Sequence, residues 1–296
     1  MSFNITTTRD IVKPFQYVEE GTTAATYGVI PSSPTFIAAG INTDIELNPN
    51  IVADKIRALG LEDYADSVKT QENYAFSLTS KILNTTLSKY GIQAVGGAGT
   101  IGASLAFLFS KYIDGTEYYT KITGARPIST TLSVARNTWT LEQNYHCKEI
   151  LDEVTAHGIG GVPVFVTSVP SGSPLKHQDG ASPFVWNSIV YPERSFSATF
   201  VRDLSLLEIN GDVLVLYSKA AMRNISWNAE VFKKSNVLAT EAYDHTKRTL
   251  TYKIGSSEVM TFTEAKILGY VEKHSATENT PAIEAISGEA RAVNLA

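Results

Sequence analysis

Apolar and polar residues alternate with a period of two along much of the chain, and helical spacing is hardly seen. Ile128, Thr130, Leu132 and Val134 fall on one face, with Ser129, Thr131 and Ser133 on the other. Trp139, Leu141 and Tyr145 restart the alternation against Thr138, Thr140, Glu142 and Asn144. Successive strand residues point to opposite faces, so the pattern predicts half-buried antiparallel strands with one apolar and one hydroxyl-rich face. The phase change at Ala135 and Arg136 marks a turn or bulge. Upstream, Asp114-Gly115 is a two-residue hairpin signal, because both central positions of a type I′ turn need positive φ.

The same plan recurs further on. The run from Tyr252 to Tyr270 again gives strand, glycine-bearing turn and strand; laid under Tyr112, it brings Gly115 near Gly255 and Glu117 near Glu258. This predicts an internal duplication that governs the whole fold.

In chain order, residues 1–40 read as an irregular N-terminal arm, interrupted by Pro14, Gly21, Gly28, Pro31 and Pro34 and anchored by Phe15, Tyr17, Tyr27 and Phe36. Residues 41–150 form a first β domain. Its first strand is Ile41–Leu47, ended by Asn48-Pro49. A long loop from Asn50 to Gln71 follows, carrying Ile51, Ile56, Leu59, Leu61 and Tyr64 amid mixed charge; loops of that length are usually functional. Tyr74, Phe76 and Leu78 mark the return strand, Leu83–Val95 a short helix or a strand extension, and Leu105, Phe107 and Phe109 a further strand. Residues 151–185, rich in Gly and Pro, read as a linker with one strand at Val162–Val169. Residues 186–296 make a second β domain. Phe196, Ala198 and Phe200 alternate there, Asn210-Gly211 signals a hairpin, and Ile225, Trp227, Ala229 and Val231 form a strand placed like Ile41–Leu47. The tail from Pro281 to Val293 reads as an edge strand or docking arm.

Composition narrows the classes. At 43% hydrophobic and 19% charged, the chain is globular, and Ser and Thr fill the polar strand positions. A net charge of −5 argues against a surface that grips nucleic acid. The single Cys147 excludes an intrachain disulfide and any cysteine metal cluster. No signal peptide and no 18-residue apolar run is expected to direct the chain to a membrane.

Candidate chemistry is thin. Gly97, Gly99 and Gly102 spell a G-x-G-x-x-G loop, but no strand–helix alternation follows, so a plain glycine loop is the better reading. His146 and Cys147 are adjacent and point to opposite strand faces. His157, His177, His245 and His274 lack ligand spacing. No catalytic motif emerges; the expectation is a non-enzyme without cofactor or metal.

The chain resembles the tail tube (major tail) proteins of tailed bacteriophages and archaeal viruses. Three stretches carry the resemblance: Gly21-Thr22-Thr23-Ala24 leading to Ser33-Pro34-Thr35-Phe36-Ile37; Ile45 to Asn50 with Asp54-Lys55-Ile56-Arg57 and Val68 to Leu78; and Tyr118 to Thr140. It covers the first 150 residues best, and Arg223 to Val293 as a degraded copy. It implies a mainly β fold of two tube-type barrel or sandwich domains, with long loops and terminal arms. Subunits of such a virion protein, made in the host cytoplasm, close into rings that stack into the tail tube. Its partners would be itself, a tape measure, a tail terminator and a baseplate or tip. Two tube domains per chain imply a trimeric ring, against a hexamer if the second half is decoration. Genome DNA would pass through the lumen without specific binding. Strand parity then puts Asn42, Asp44, Glu46, Ser77, Thr79, Ser226, Asn228 and Glu230 on the lumen face, and the resemblance implies that the loop residues Ile51, Ile56, Leu59, Leu61 and Tyr64 lie between subunits. The rival reading is a β-sandwich adhesion or carbohydrate-binding module, with Trp139, Trp186 and Trp227 as candidate platform.

Overall fold

The computed structural model describes residues 11–56, 66–93, 103–135, 137–168, 170, 172–173, 175, 184–207, 217–254, 258–274 and 282–296. The fold is mainly β. In chain order come β1 (Ile11–Gly21), a 3-10 turn (Ala24–Thr26), β2 (Ile37–Ala38), β3 (Ile41–Ile56), β4 (Asp66–Lys81), α1 (Thr86–Ile92), β5 (Ser104–Ile113), β6 (Thr116–Ala135), β7 (Thr138–Cys147) and β8 (Glu149–Val154). Then follow β9 (Phe184–Trp186), β10 (Ile189–Tyr191), β11 (Glu193–Leu207), β12 (Tyr217–Phe232), α2 (Val237–Asp244), β13 (Arg248–Ile254), β14 (Glu258–Lys273), β15 (Ile283–Glu289) and β16 (Ala292–Leu295).

Among the described residues sixteen strands belong to one antiparallel sheet that does not close. Its central run is β3-β4-β7-β6-β11-β12-β15-β14. Two long strands, β6 and β14, leave this run and turn into an opposing layer. The first half of β6 pairs with β5 and β8, and β5 pairs with β1, which carries β2. The first half of β14 pairs with β13 and β16, and β13 pairs with β9, which carries β10.

The core lies between the central run and the opposing layer. Phe76 and Tyr145 stack at 4.6 Å, and Phe107 reaches Tyr145 from the other side at 5.2 Å. Phe196 stacks on Tyr252 at 3.9 Å, and Trp139 meets Tyr252 edge-on at 5.4 Å, so β7 and β11, on either side of β6, share one contact in the opposing layer. Trp139, Trp186 and Trp227 are all fully buried, each contributing roughly 2–3 kcal/mol of apolar burial. None offers an exposed platform.

The Asp114-Gly115 hairpin is as expected, with φ of 50° and 80° at its two turn residues. The Leu83–Val95 alternative resolves to the helix α1. Four expectations are corrected. Residues 11–21 are not irregular: β1 pairs along β5, and the register shifts around Lys13 accommodate Pro14. Phe15, Tyr17, Tyr27 and Phe36 are buried in the chain's own core. The strand at Ile41 does not stop at Asn48-Pro49: of the expected Asn50–Gln71 loop, Asn50–Ile56 and Asp66–Gln71 are paired strand, and residues 57–65 lie outside the described residues. In the 151–185 stretch, Leu151–Val154 belongs to β8, and of the strand expected at Val162–Val169 the described residues 162–168 make one isolated bridge, Thr35 to Val164; Val169 lies outside the described residues. Most of the tail is not an edge, since β15 runs between β12 and β14; only β16, from Ala292, pairs with β14 alone among the described residues. Residues 94–102, with the glycine loop, and the Asn210-Gly211 turn lie outside the described residues.

Candidate assembly surface

Two features of the central run stand out: a continuous polar face and two strand edges that carry no partner among the described residues. The polar face follows from the alternation. Each strand turns its large apolar residues to the core, so its Ser, Thr, Asn and charged residues line up on the opposite side.

The cross-strand register makes rows of them. Asp44 stands opposite Thr79, Thr79 opposite Glu142, Glu142 opposite Thr131, Thr131 opposite Thr199, Thr199 opposite Ser226, and Ser226 opposite Glu289. Further along, Glu46, Ser77, Asn144 and Ser129 form a second row, and Thr140, Ser133, Ser197, Asn228 and Ser287 a third. Side chains bond along these rows: the Thr131 and Thr199 hydroxyls are 3.1 Å apart, and Asn144 Nδ2 donates to Ser129 Oγ at 2.8 Å.

Of the sequence-derived lumen residues, Asp44, Glu46, Ser226 and Asn228 are exposed on this face, and Ser77, Thr79 and Glu230 half-buried. Asn42 lies in β3. Sequence reasoning missed Thr131, Ser133, Thr140, Glu142, Asn144, Ser197, Thr199 and Ser287, which the pairing puts in the middle of the face. Their period-two pattern was visible, but the joining of β4 to β7 and of β6 to β11 is not a local signal. Of the residues expected between subunits, Ile51 and Ile56 lie in β3; Leu59, Leu61 and Tyr64 fall outside the described residues.

The charges near β14 are matched. Lys273 Nζ donates to Glu230 Oε1 at 2.7 Å, which holds the Glu230 carboxyl below its ordinary value, with Arg194 adding at 3.9 Å. Glu289 lies 3.9 Å from Lys266. Near the far end, hydrogen bonds from Lys247 and Arg291 hold Glu264 down to about 2.

The edges are β3 at one end and the Lys266–Lys273 half of β14 at the other. The presence of Pro49 within β3 fits an edge, because proline cannot serve a ladder on both sides. On β14, Leu268 and Val271 are 54% and 57% exposed. A paired seam in the middle, β6 to β11, joins Ser129–Val134 to Phe196–Val201. Arginines from β11 and β12 reinforce it. Arg202 donates to the carbonyls of Tyr90 at 3.2 Å, Gly91 at 3.3 Å and Gln93 at 2.6 Å, while Arg223 donates to that of Ile92. Cations at a helix C-terminus satisfy carbonyls that have no partner within the helix. Burial first, then Arg223 and Arg126, pushes Arg202 down to about 10, so it stays charged at neutral pH.

Cys147 is buried, and burial pushes its thiol well up, which makes it inert. Among the described residues no helix is long and apolar enough to cross a membrane. No family model matches the chain, and no curated protein matches it.

Proposed function

We propose that the chain is a structural subunit built of two like halves, three copies of which close into a ring that stacks into a tail tube. The observation that carries this reading is the β6–β11 seam between two halves with corresponding pairings, which leaves a β11-like edge (β3) and a β6-like edge (β14) free.

The correspondence is detailed. The pairings β1–β2, β1–β5, β3–β4, β4–β7, β5–β6, β6–β7 and β6–β8 match β9–β10, β9–β13, β11–β12, β12–β15, β13–β14, β14–β15 and β14–β16. Paired residues keep one spacing: Leu47–Phe76 and Ala198–Trp227 differ by 151 at both members, 198 minus 47 and 227 minus 76, and so do the strand ends Lys81 and Phe232. Each half inserts one helix after its second long strand, and 237 minus 86 is again 151. By this alignment Ile225–Val231 corresponds to the return strand of β4, not to Ile41–Leu47. An internal duplication accounts for all of it.

A chain with complementary free edges forms head-to-tail contacts, which close into a ring if the rotation permits. Closure also removes the edges that would otherwise pair indiscriminately. The polar face would line the lumen. Its hydroxyls and paired charges give DNA little to hold, and Asp44, Glu46 and Glu142 repel phosphate. The tail tube assignment rests on this architecture together with the resemblance of the first half. The adhesion-module alternative has nothing comparable in its favour, since its three tryptophans are buried.

The test is negative-stain electron microscopy and mass measurement across a concentration series. Hollow rings or tubes of three copies with pseudo-six-fold end views are expected. A particle that stays at the 32.2 kDa of one chain throughout overturns the reading.

A further inference from the structure

We propose that β3 of one copy adds to β14 of the next in the register of the β6–β11 seam, so that Glu46 faces Lys273 and Asn48 faces Val271. This rests on the ring reading and specifies its joint, residue by residue.

The register follows from the pairs within the chain. Leu132 pairs with Leu141 and Leu141 with Ser80; Glu272 pairs with Glu284 and Glu284 with Val231. Since 231 minus 80 is 151, Ser80 and Val231 correspond, and therefore so do Leu132 and Glu272, at 272 minus 132, or 140. A bulge checks the alignment: the register slips between Pro127 and Ser129 in β6, and between Ile267 and Gly269 in β14, again 140 apart. Bulges pin register, so two at corresponding positions leave no freedom for a one-residue error. Ser133 thus corresponds to Lys273 and Thr131 to Val271. On the other strand, 197 minus 151 is 46 and 199 minus 151 is 48, so Ser197 corresponds to Glu46 and Thr199 to Asn48.

In the internal seam Ser133 faces Ser197 and Thr131 faces Thr199. Transferred to the free edges, the first pair becomes Lys273 with Glu46, an opposite-charge pair on the polar face. Lys273 already reaches Glu230 at 2.7 Å, so Glu46 would complete a carboxylate on each side of it. The second pair covers Val271, which is otherwise exposed. Pro49 falls opposite Tyr270. This is strand addition, with main-chain bonds supplying affinity and side-chain pairs supplying register.

Two experiments on the full chain test it. Glu46→Lys and Lys273→Glu are each expected to raise the concentration for half-assembly by about 5-fold, in line with an exposed pair, and the double reversal to restore it. In the second, Glu46→Cys copies are mixed with Lys273→Cys copies under mild oxidation; directly opposed residues lie within disulfide reach. Efficient cross-linking in assembled rings is expected, with little between Glu46→Cys and Val271→Cys, two residues out of register. Rings that cross-link only out of register, with no rescue by the double reversal, overturn the joint and leave the tube reading standing. Absence of assembly in the unmodified chain overturns both.

Discussion

Gly124 in β6 and Glu264 in β14 both hold a positive φ, 65° and 50°, at the step where each strand turns from one layer into the other. They are 140 residues apart (264 minus 124), the spacing of the two strands throughout. The conformation costs a glycine little and a glutamate more. Glu264 is held there between Lys247 and Arg291, at 2.6 and 2.5 Å.

Gly124→Ala is therefore expected to destabilise by about 2–4 kcal/mol. Its new Cβ would lie 2.6 Å from Lys148 Cβ and 2.9 Å from the Tyr27 ring. Glu264→Gly relieves the same strain while losing exposed ion pairs, and shifts stability far less. Urea melts of the two variants make the comparison; equal losses would show that the turn does not depend on the left-handed conformation.

Trp227 and Gly288 fill the space that Phe76 and Tyr145 fill in the other half. A Cβ on Gly288 would come within 2.4 Å of the Trp227 ring and 2.0 Å of the Lys266 carbonyl. Gly288→Ala should cost at least about 2 kcal/mol. Adding Trp227→Phe, which removes part of the offending ring, should make the pair less destabilised than the sum of the singles. Additive losses in denaturation would place the clash on the backbone alone.

Arg202→Met removes the donor to three helix-end carbonyls and is expected to cost about 3 kcal/mol. Arg202→Lys should recover only part of this, because one ammonium cannot reproduce the guanidinium's spread of donors. Thermal unfolding followed by circular dichroism reads both; full recovery by lysine would reduce the role to charge.

Two carboxylates carry opposite pH signatures. Glu264 is depressed to about 2, so its contribution is present above pH 4.5 and is lost as pH falls through about 2. Glu20 is raised by burial, despite bonds from Gly28 and Gly124 N–H at 2.9 Å and Ser104 Oγ at 2.7 Å. Its contribution is present below 4.5 and is lost as pH rises through its folded value. Stability profiles of Glu264→Gln and Glu20→Gln should flatten at the acid end and above pH 4.5 respectively. Unchanged profiles would remove these residues from the acid response.

The sequence made β6, β7, β11 and β12 legible because each has one buried and one wet face, so alternation survives in composition. The far half of the β3–β4 hairpin was hidden: neither face of that stretch carries the apolar repeat that marks a half-buried strand, and Pro49 imitates a stop. β15 was hidden for the opposite reason. It sits between β12 and β14 with Gly288 under Trp227, and its polar-face residues Ala285 and Ser287 are small, so almost no alternation shows. β1 was masked by Pro14, which a bulge absorbs. The polar face could be drawn one strand at a time, but its continuity depends on contacts between β6 and β11 that lie more than sixty residues apart in the pair Leu132–Ala198.

The arginine clamp makes the two halves unequal. Subtracting 151 from Arg202 and Arg223 gives Ile51 and Glu72, so a joint between copies, built like the internal seam, has no arginine pair to brace the end of α2. A ring made this way alternates two kinds of hinge: three stiff ones inside the chains and three softer ones between them. Bending or stretching would concentrate at the softer set, and the tube would flex with three-fold symmetry while its wall remained six-fold in outline.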